Sequence, residues 1–81
     1  NVSTAQDAVR VQIDSLIALC NKIDLQNDKA VLINDRLALE KAEKINYNKG
    51  QANALYAMGG YYSVISDYTN AFRYYFKALM I

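Results

Sequence analysis

The side chains of this chain that are capable of chemistry are carboxylates, lysines, hydroxyls, a set of tyrosines and one thiol, Cys20; histidine is absent. A thiol becomes a nucleophile when a neighbouring base or positive charge lowers its pKa, and no histidine is there to do so. Cys20 also falls on the apolar stripe of a helical pattern, so it is expected to be a buried structural thiol. One cysteine without histidine excludes a disulfide framework and zinc sites of the usual Cys/His type. The run DLQNDKAVLIND, residues 24 to 35, has some oxygen donors of a calcium loop. Lys29, however, stands where the sharp turn needs glycine, and Asp35 replaces the closing glutamate. No pair of ionisable residues has the spacing of a catalytic motif, so an enzyme is not expected, nor a metal or other cofactor.

Nine basic and eight acidic residues leave a net charge of +1, too little for a field that draws in nucleic acid or an anionic membrane. The tyrosine-rich stretch from Tyr61 to Phe76 could stack bases, but without a basic groove it is expected to pack a core. Residues 50 to 66 carry no charge, yet Gln51, Asn53, Ser63 and the tyrosines make them too polar and too short for a bilayer. No direct membrane insertion is expected of this segment. The chain begins at Asn1 and stops at Ile81 within an apolar helical pattern, so it reads as a fragment. The missing start methionine fits either removal of an export signal or a sequence that simply begins inside a longer chain, so the compartment stays open, with an extracytoplasmic sensor region slightly favoured over the cytoplasm.

The elements that must position these residues are helical. Eighty-one residues make one domain at most, and 53% hydrophobic content with no proline and three glycines suits an all-α fold. Val9, Ile13, Leu16, Ile17, Cys20 and Ile23 recur at steps of three and four, predicting a helix over about 4 to 24, with Ser3/Gln6 or Thr4/Asp7 at capping-box spacing. Asn27 or Asp28 can cap a second helix carrying Val31, Leu37, Ala38, Ala42 and Ile45, with Glu40 and Lys44 able to pair outside; it is expected to end near Tyr47. After a break at 46–50, Ala52, Leu55, Gly59 and Tyr62 mark a third helix running to about Ile65. Ser66 and Asp67 then turn the chain into a fourth, with Asp67 as cap and Tyr68, Ala71, Phe72, Tyr75, Ala78 and Leu79 as its buried stripe. Short connections imply antiparallel hairpins.

An interior glycine costs about 0.5 to 1 kcal/mol against alanine, so Gly59 and Gly60 need compensation that a missing side chain provides. Close packing of Gly59 against Ala71 is expected to supply it, with Tyr62, Phe72 and Tyr75 filling the space around the contact.

Leu55, Met58, Gly59, Tyr62, Tyr68, Ala71, Tyr75 and Ala78 together resemble the tetratricopeptide repeat, a helix-turn-helix unit recognised by small and large residues at fixed spacing. Leu55 stands where that family often has tryptophan, and Ser66 where its turn usually has glycine. The resemblance is carried by residues 48–81. Residues 4–47 resemble a degenerate preceding repeat, because a shift of 40 places lays Val31 on Ala71 and Ala38 on Ala78. The family's usual step is 34 residues. The run ALEKAEKINYNKG is similar to the extended second helix and linker in arrays of bacterial regulators and sensor histidine kinases.

That resemblance implies two stacked repeats of an α-solenoid and a non-catalytic module that binds a protein or peptide. The sensory or partner-binding region of a two-component sensor kinase or regulator is the expected context, and a dimerisation spacer with no groove ligand is the alternative. Ligands of this family usually lie in the groove lined by the first helix of each repeat, which here implies Asn53, Tyr56, Ala57, Gly60, Ser63 and Val64. Asn53 offers a donor and an acceptor to an extended peptide, and Tyr56 a flat amphipathic surface. Chaperone-binding members clamp a terminal carboxylate with lysines and asparagines, but Tyr56 and Gly60 stand at two of those positions, so that clamp is not expected. The resemblance also implies that Tyr74, Phe76, Leu79 and Ile81 partly face a next helix, and that the isolated chain associates with itself through its C-terminal helix.

Overall fold

The computed structural model describes residues 2–22 and 29–81, with the side chains of 2, 3 and 19–22 outside that description. These residues form four helices: α1 (Val2–Lys22), α2 (Lys29–Lys44), α3 (Asn48–Val64) and α4 (Tyr68–Leu79). Cys20's side chain, Ile23, Asn27 and Asp28 lie outside the described residues, as does the first part of the run at 24–35. Residues 29–35 of that run are helical rather than a loop.

Successive helices pack on one another: α1 on α2, α2 on α3 and α3 on α4, with α3 also touching α1, while α4 packs on α3 alone. The result is a slab of 45 × 27 × 14 Å rather than a closed bundle. Its principal core joins Ile13 and Ile17 of α1 to Ala38 and Ala42 of α2 and Ala54 of α3. Alanine at three of these five positions lets the helix axes approach closely, and each buried isoleucine contributes about 1.5 to 3 kcal/mol by leaving water.

The two interhelical turns described have one design. Among the described residues, Asn46 and Ser66 are the two non-glycine residues with positive φ, 54° and 63°. In the first turn the Tyr47 amide donates to the Ala42 carbonyl and the Asn46 amide to Glu43; in the second, Asp67 donates to Tyr62 and Ser66 to Ser63. Each is a Schellman C-cap, in which a left-handed residue turns the last amides back onto the final carbonyls. The Asp67 side chain then accepts from the Asn70 amide at 3.3 Å and caps α4. The Asn70 side-chain amide adds a 2.7 Å bond to the same carboxylate.

Several details depart from the sequence reading. Helix α1 already includes Val2, so Ser3 and Thr4 lie within it rather than capping it. Helix α3 starts at Asn48 and takes in Gly50, because the Asn46 cap completes the turn by Tyr47. Glu40 and Lys44 form no ion pair; among the described residues the one such pair is Arg10–Asp7 at 4.0 Å, exposed and of little energetic weight. Leu37, Tyr68, Phe72 and Leu79 are exposed rather than buried. On a 3.6-residue helix Leu37 stands about 100° round from Ala38, and Phe72 about 100° round from Ala71, so helices covered on one side leave them outside.

The Gly59 contact is present. A Cβ there would lie 2.6 Å from the Tyr75 ring and 3.2 Å from the Ala71 carbonyl oxygen. Gly60 is different, since nothing lies within 4 Å of the position a Cβ would take. Phe72 does not help fill the Gly59 contact; it stacks on Phe76 on the outer face of α4, with ring centroids 6.3 Å apart.

Candidate functional site

A cleft of about 820 Å³ lies between α1 and α3. Asn53, Tyr56, Ala57, Gly60, Ser63 and Val64 of α3 all line it, because steps of three and four place them on one helical face. Asn53 and Tyr56 are exposed, while Gly60 and Ser63 are half-buried. Tyr56 packs against Tyr75, with ring centroids 5.2 Å apart. Gly60 has no side chain to fill the wall and no close neighbour, so its contribution is open space.

The opposite wall was not anticipated from the sequence. It comes from Asp14, Ile17 and Ala18 of α1, with Val31 of α2 contributing and Lys49 at the start of α3. The spacing of α1 puts Asp14 and Ala18 on one face, one turn apart, but does not say that this face stands across from α3. Asp14 is held in place, as both of its carboxylate oxygens accept from the Tyr47 hydroxyl at 3.0 Å. Burial, and then Asp14 itself, raise the Tyr47 phenol above its ordinary pKa. The Arg10 guanidinium lies over the same ring, 5.2 Å from its centroid. The cleft therefore carries one fixed carboxylate, one ammonium, an amide and aromatic faces.

The remaining motif residues pack the second hairpin. Leu55 and Ala71 are buried, while Tyr62, Tyr75 and Ala78 are half-buried. Tyr62 stacks on Tyr74 at 5.4 Å with an interplanar angle of 2°, and burial is the main cause of its raised pKa. These groups hold α3 against α4 and so fix the back of the cleft wall. Among the described residues no three His, Cys, Asp or Glu side chains come together to hold a metal ion.

Among the described residues, Asp35 is the one buried polar side chain. It is 0% exposed, and neither carboxylate oxygen has a hydrogen-bond partner. Burial pushes its pKa from the ordinary 3.8 up to about 7. In the sequence it stood as the failed last ligand of a calcium-like run. Its place between Val31 and Ala38 on the apolar stripe of α2 was the better signal.

The described residues define an all-α protein built of sequentially packed helices, and none of those helices is long and apolar enough to cross a membrane. Compared with known proteins, the chain matches no family model, no curated protein and no solved structure.

Proposed function

We propose that this chain is a non-catalytic interaction module whose α1–α3 cleft receives an extended segment of another protein. The observation that carries the reading is the convergence of Asn53, Tyr56, Gly60 and Ser63 on one cleft with Asp14 and Lys49. An amide and a hydroxyl can meet a peptide backbone, tyrosine faces can cover apolar side chains, and the two charges can select register. The stepwise packing of α1 to α4 and the tetratricopeptide-like spacing at 48–81 support a solenoid fragment of two repeats. In that reading the chain belongs to the sensory or partner-binding region of a bacterial regulator or sensor kinase, with an extracytoplasmic setting slightly favoured over a cytoplasmic one. Binding would alter superhelical curvature or association.

Two repeats offer less than the roughly 800 Å² per partner of a standard interface, so firm binding requires a longer array. The test is calorimetric titration against peptide pools, using the array that contains this chain. Asn53→Ala and Tyr56→Ala should each weaken binding while helicity measured by circular dichroism stays constant. Binding unchanged in both variants would reject the cleft.

A dimerisation spacer is the second reading, favoured by a different observation. Phe72, Phe76, Leu79 and Met80 leave an apolar face on α4, with Leu79 80% and Met80 86% exposed. Self-association through that face would bury it.

A further inference from the structure

A carboxyl group with no partner has been left at the joint between helices. Asp35 lies on the stripe of α2 formed by Val31, Asp35, Ala38 and Ala42, all buried, and α2 is the helix that packs on both α1 and α3. Ala38 and Ala42 belong to the core shared with Ile13, Ile17 and Ala54. Val31, one turn before Asp35, is part of the cleft lining. The stripe therefore runs from the principal core to the cleft, with the carboxyl group between them.

Among the described residues, a negative charge at Asp35 has nothing to meet. On α1 the described ionisable groups Asp7, Arg10 and Asp14 are exposed, and Asp14 is engaged by Tyr47. On α3 Lys49 and Tyr56 are exposed, so Tyr61 and Tyr62 are the ionisable groups withdrawn from solvent, and neither donates to Asp35. On α2 itself Lys29, Arg36, Glu40, Glu43 and Lys44 are exposed, and Lys41 is half-buried beside Val11 and Leu37 in a second surface groove. Helix α4 does not touch α2. A protonated carboxyl is a small neutral group that such a joint tolerates, whereas an unpaired buried carboxylate carries a desolvation penalty of several kcal/mol.

We infer that the packing of α2 between α1 and α3 is proton-gated: with Asp35 protonated the three helices close over it, and with Asp35 ionised α2 loosens and takes the Val31 edge of the cleft with it. The loosening of α2 stands without any ligand. Only its effect on binding rests on the cleft reading above.

The experiment uses the ligand-free full chain, so that failure of the gate and failure of the cleft are separable. A carbon-detected NMR titration of the Asp35 carboxyl in the wild type is the first measurement, and a midpoint near 7 is expected. Amide protection factors over 29–44, corrected for intrinsic exchange, should fall by about tenfold to a hundredfold between pH 5 and pH 8. Protection in Asp35→Asn, which cannot ionise, should lose that dependence. A carboxyl midpoint near 4 would overturn the inference, as would an equal fall in protection in Asp35→Asn. Should that variant not fold, the wild-type titration and protection profile decide the matter alone.

Discussion

Gly59 and Tyr75 touch across the α3–α4 interface so closely that a single added carbon at Gly59 would sit 2.6 Å from the Tyr75 ring. The Ala71 carbonyl, 3.2 Å away, closes the other side, and it is backbone that cannot rotate out of the way. The neighbouring Gly60 has open space in the same direction. Two adjacent glycines in one helix therefore have opposite consequences.

Gly59→Leu should cost at least about 1 to 3 kcal/mol through overpacking. Gly60→Ala should instead gain about 0.5 to 1 kcal/mol, since it adds helix propensity without a clash. Urea denaturation followed by circular dichroism measures both. A neutral Gly59→Leu would show that α3 and α4 do not pack at this point.

Ser66 holds a left-handed conformation at φ 63° that costs a non-glycine residue about 1 to 2 kcal/mol. Ser66→Gly should recover part of that, raising stability by about 1 kcal/mol. Asp67→Ala removes the cap of α4 and should lose about 1 kcal/mol. Thermal melts of the two single variants, shifted in opposite directions, check the turn.

Asp35 reverses the usual response to acid. Its folded-state pKa of about 7 lies above the ordinary 3.8, so across that interval the folded protein holds a proton that the unfolded chain has released. The contribution is fully present below about pH 4, falls as pH rises towards 7, and is flat above. The slope is at most about 1.4 kcal/mol per pH unit. Urea midpoints at pH 5, 6, 7 and 8 should therefore decline for the wild type and level off. Asp35→Ala should be the more stable protein at pH 8 by about 1 to 3 kcal/mol, with a smaller margin at pH 5.

On the spacer reading, the exposed apolar face of α4 makes association concentration-dependent. Sedimentation velocity of the wild type should show species larger than a monomer at high concentration, and Phe76→Glu together with Leu79→Glu should return it to monomer. Both residues are exposed, so the change should leave helicity intact. A wild type that stays monomeric at high concentration would remove the spacer reading.

Much of the fold was legible because helix formation and chain reversal are local. The three- and four-residue spacing around Ile13 and Ile17, the reversal at Ser66 and Asp67, and the capping role of Asp67 all follow from neighbours within one or two turns. The same-face set Asn53, Tyr56, Gly60 and Ser63 was legible for that reason too. Asp14, Lys49 and Val31 were missed because they reach the cleft from other parts of the chain, and one helix's periodicity says nothing about what stands across from it.

By itself the sequence determined where helices form, which residues share a face, and that Gly59 needs a close neighbour. Tertiary structure decided how much of each face is covered. It left Leu37, Phe72 and Leu79 in solvent, distinguished Gly59 from Gly60, and withdrew Asp35 from water. The physical reason is that periodicity fixes a direction around a helix axis, whereas burial depends on how many other helices arrive from that direction and how closely their small residues let them approach.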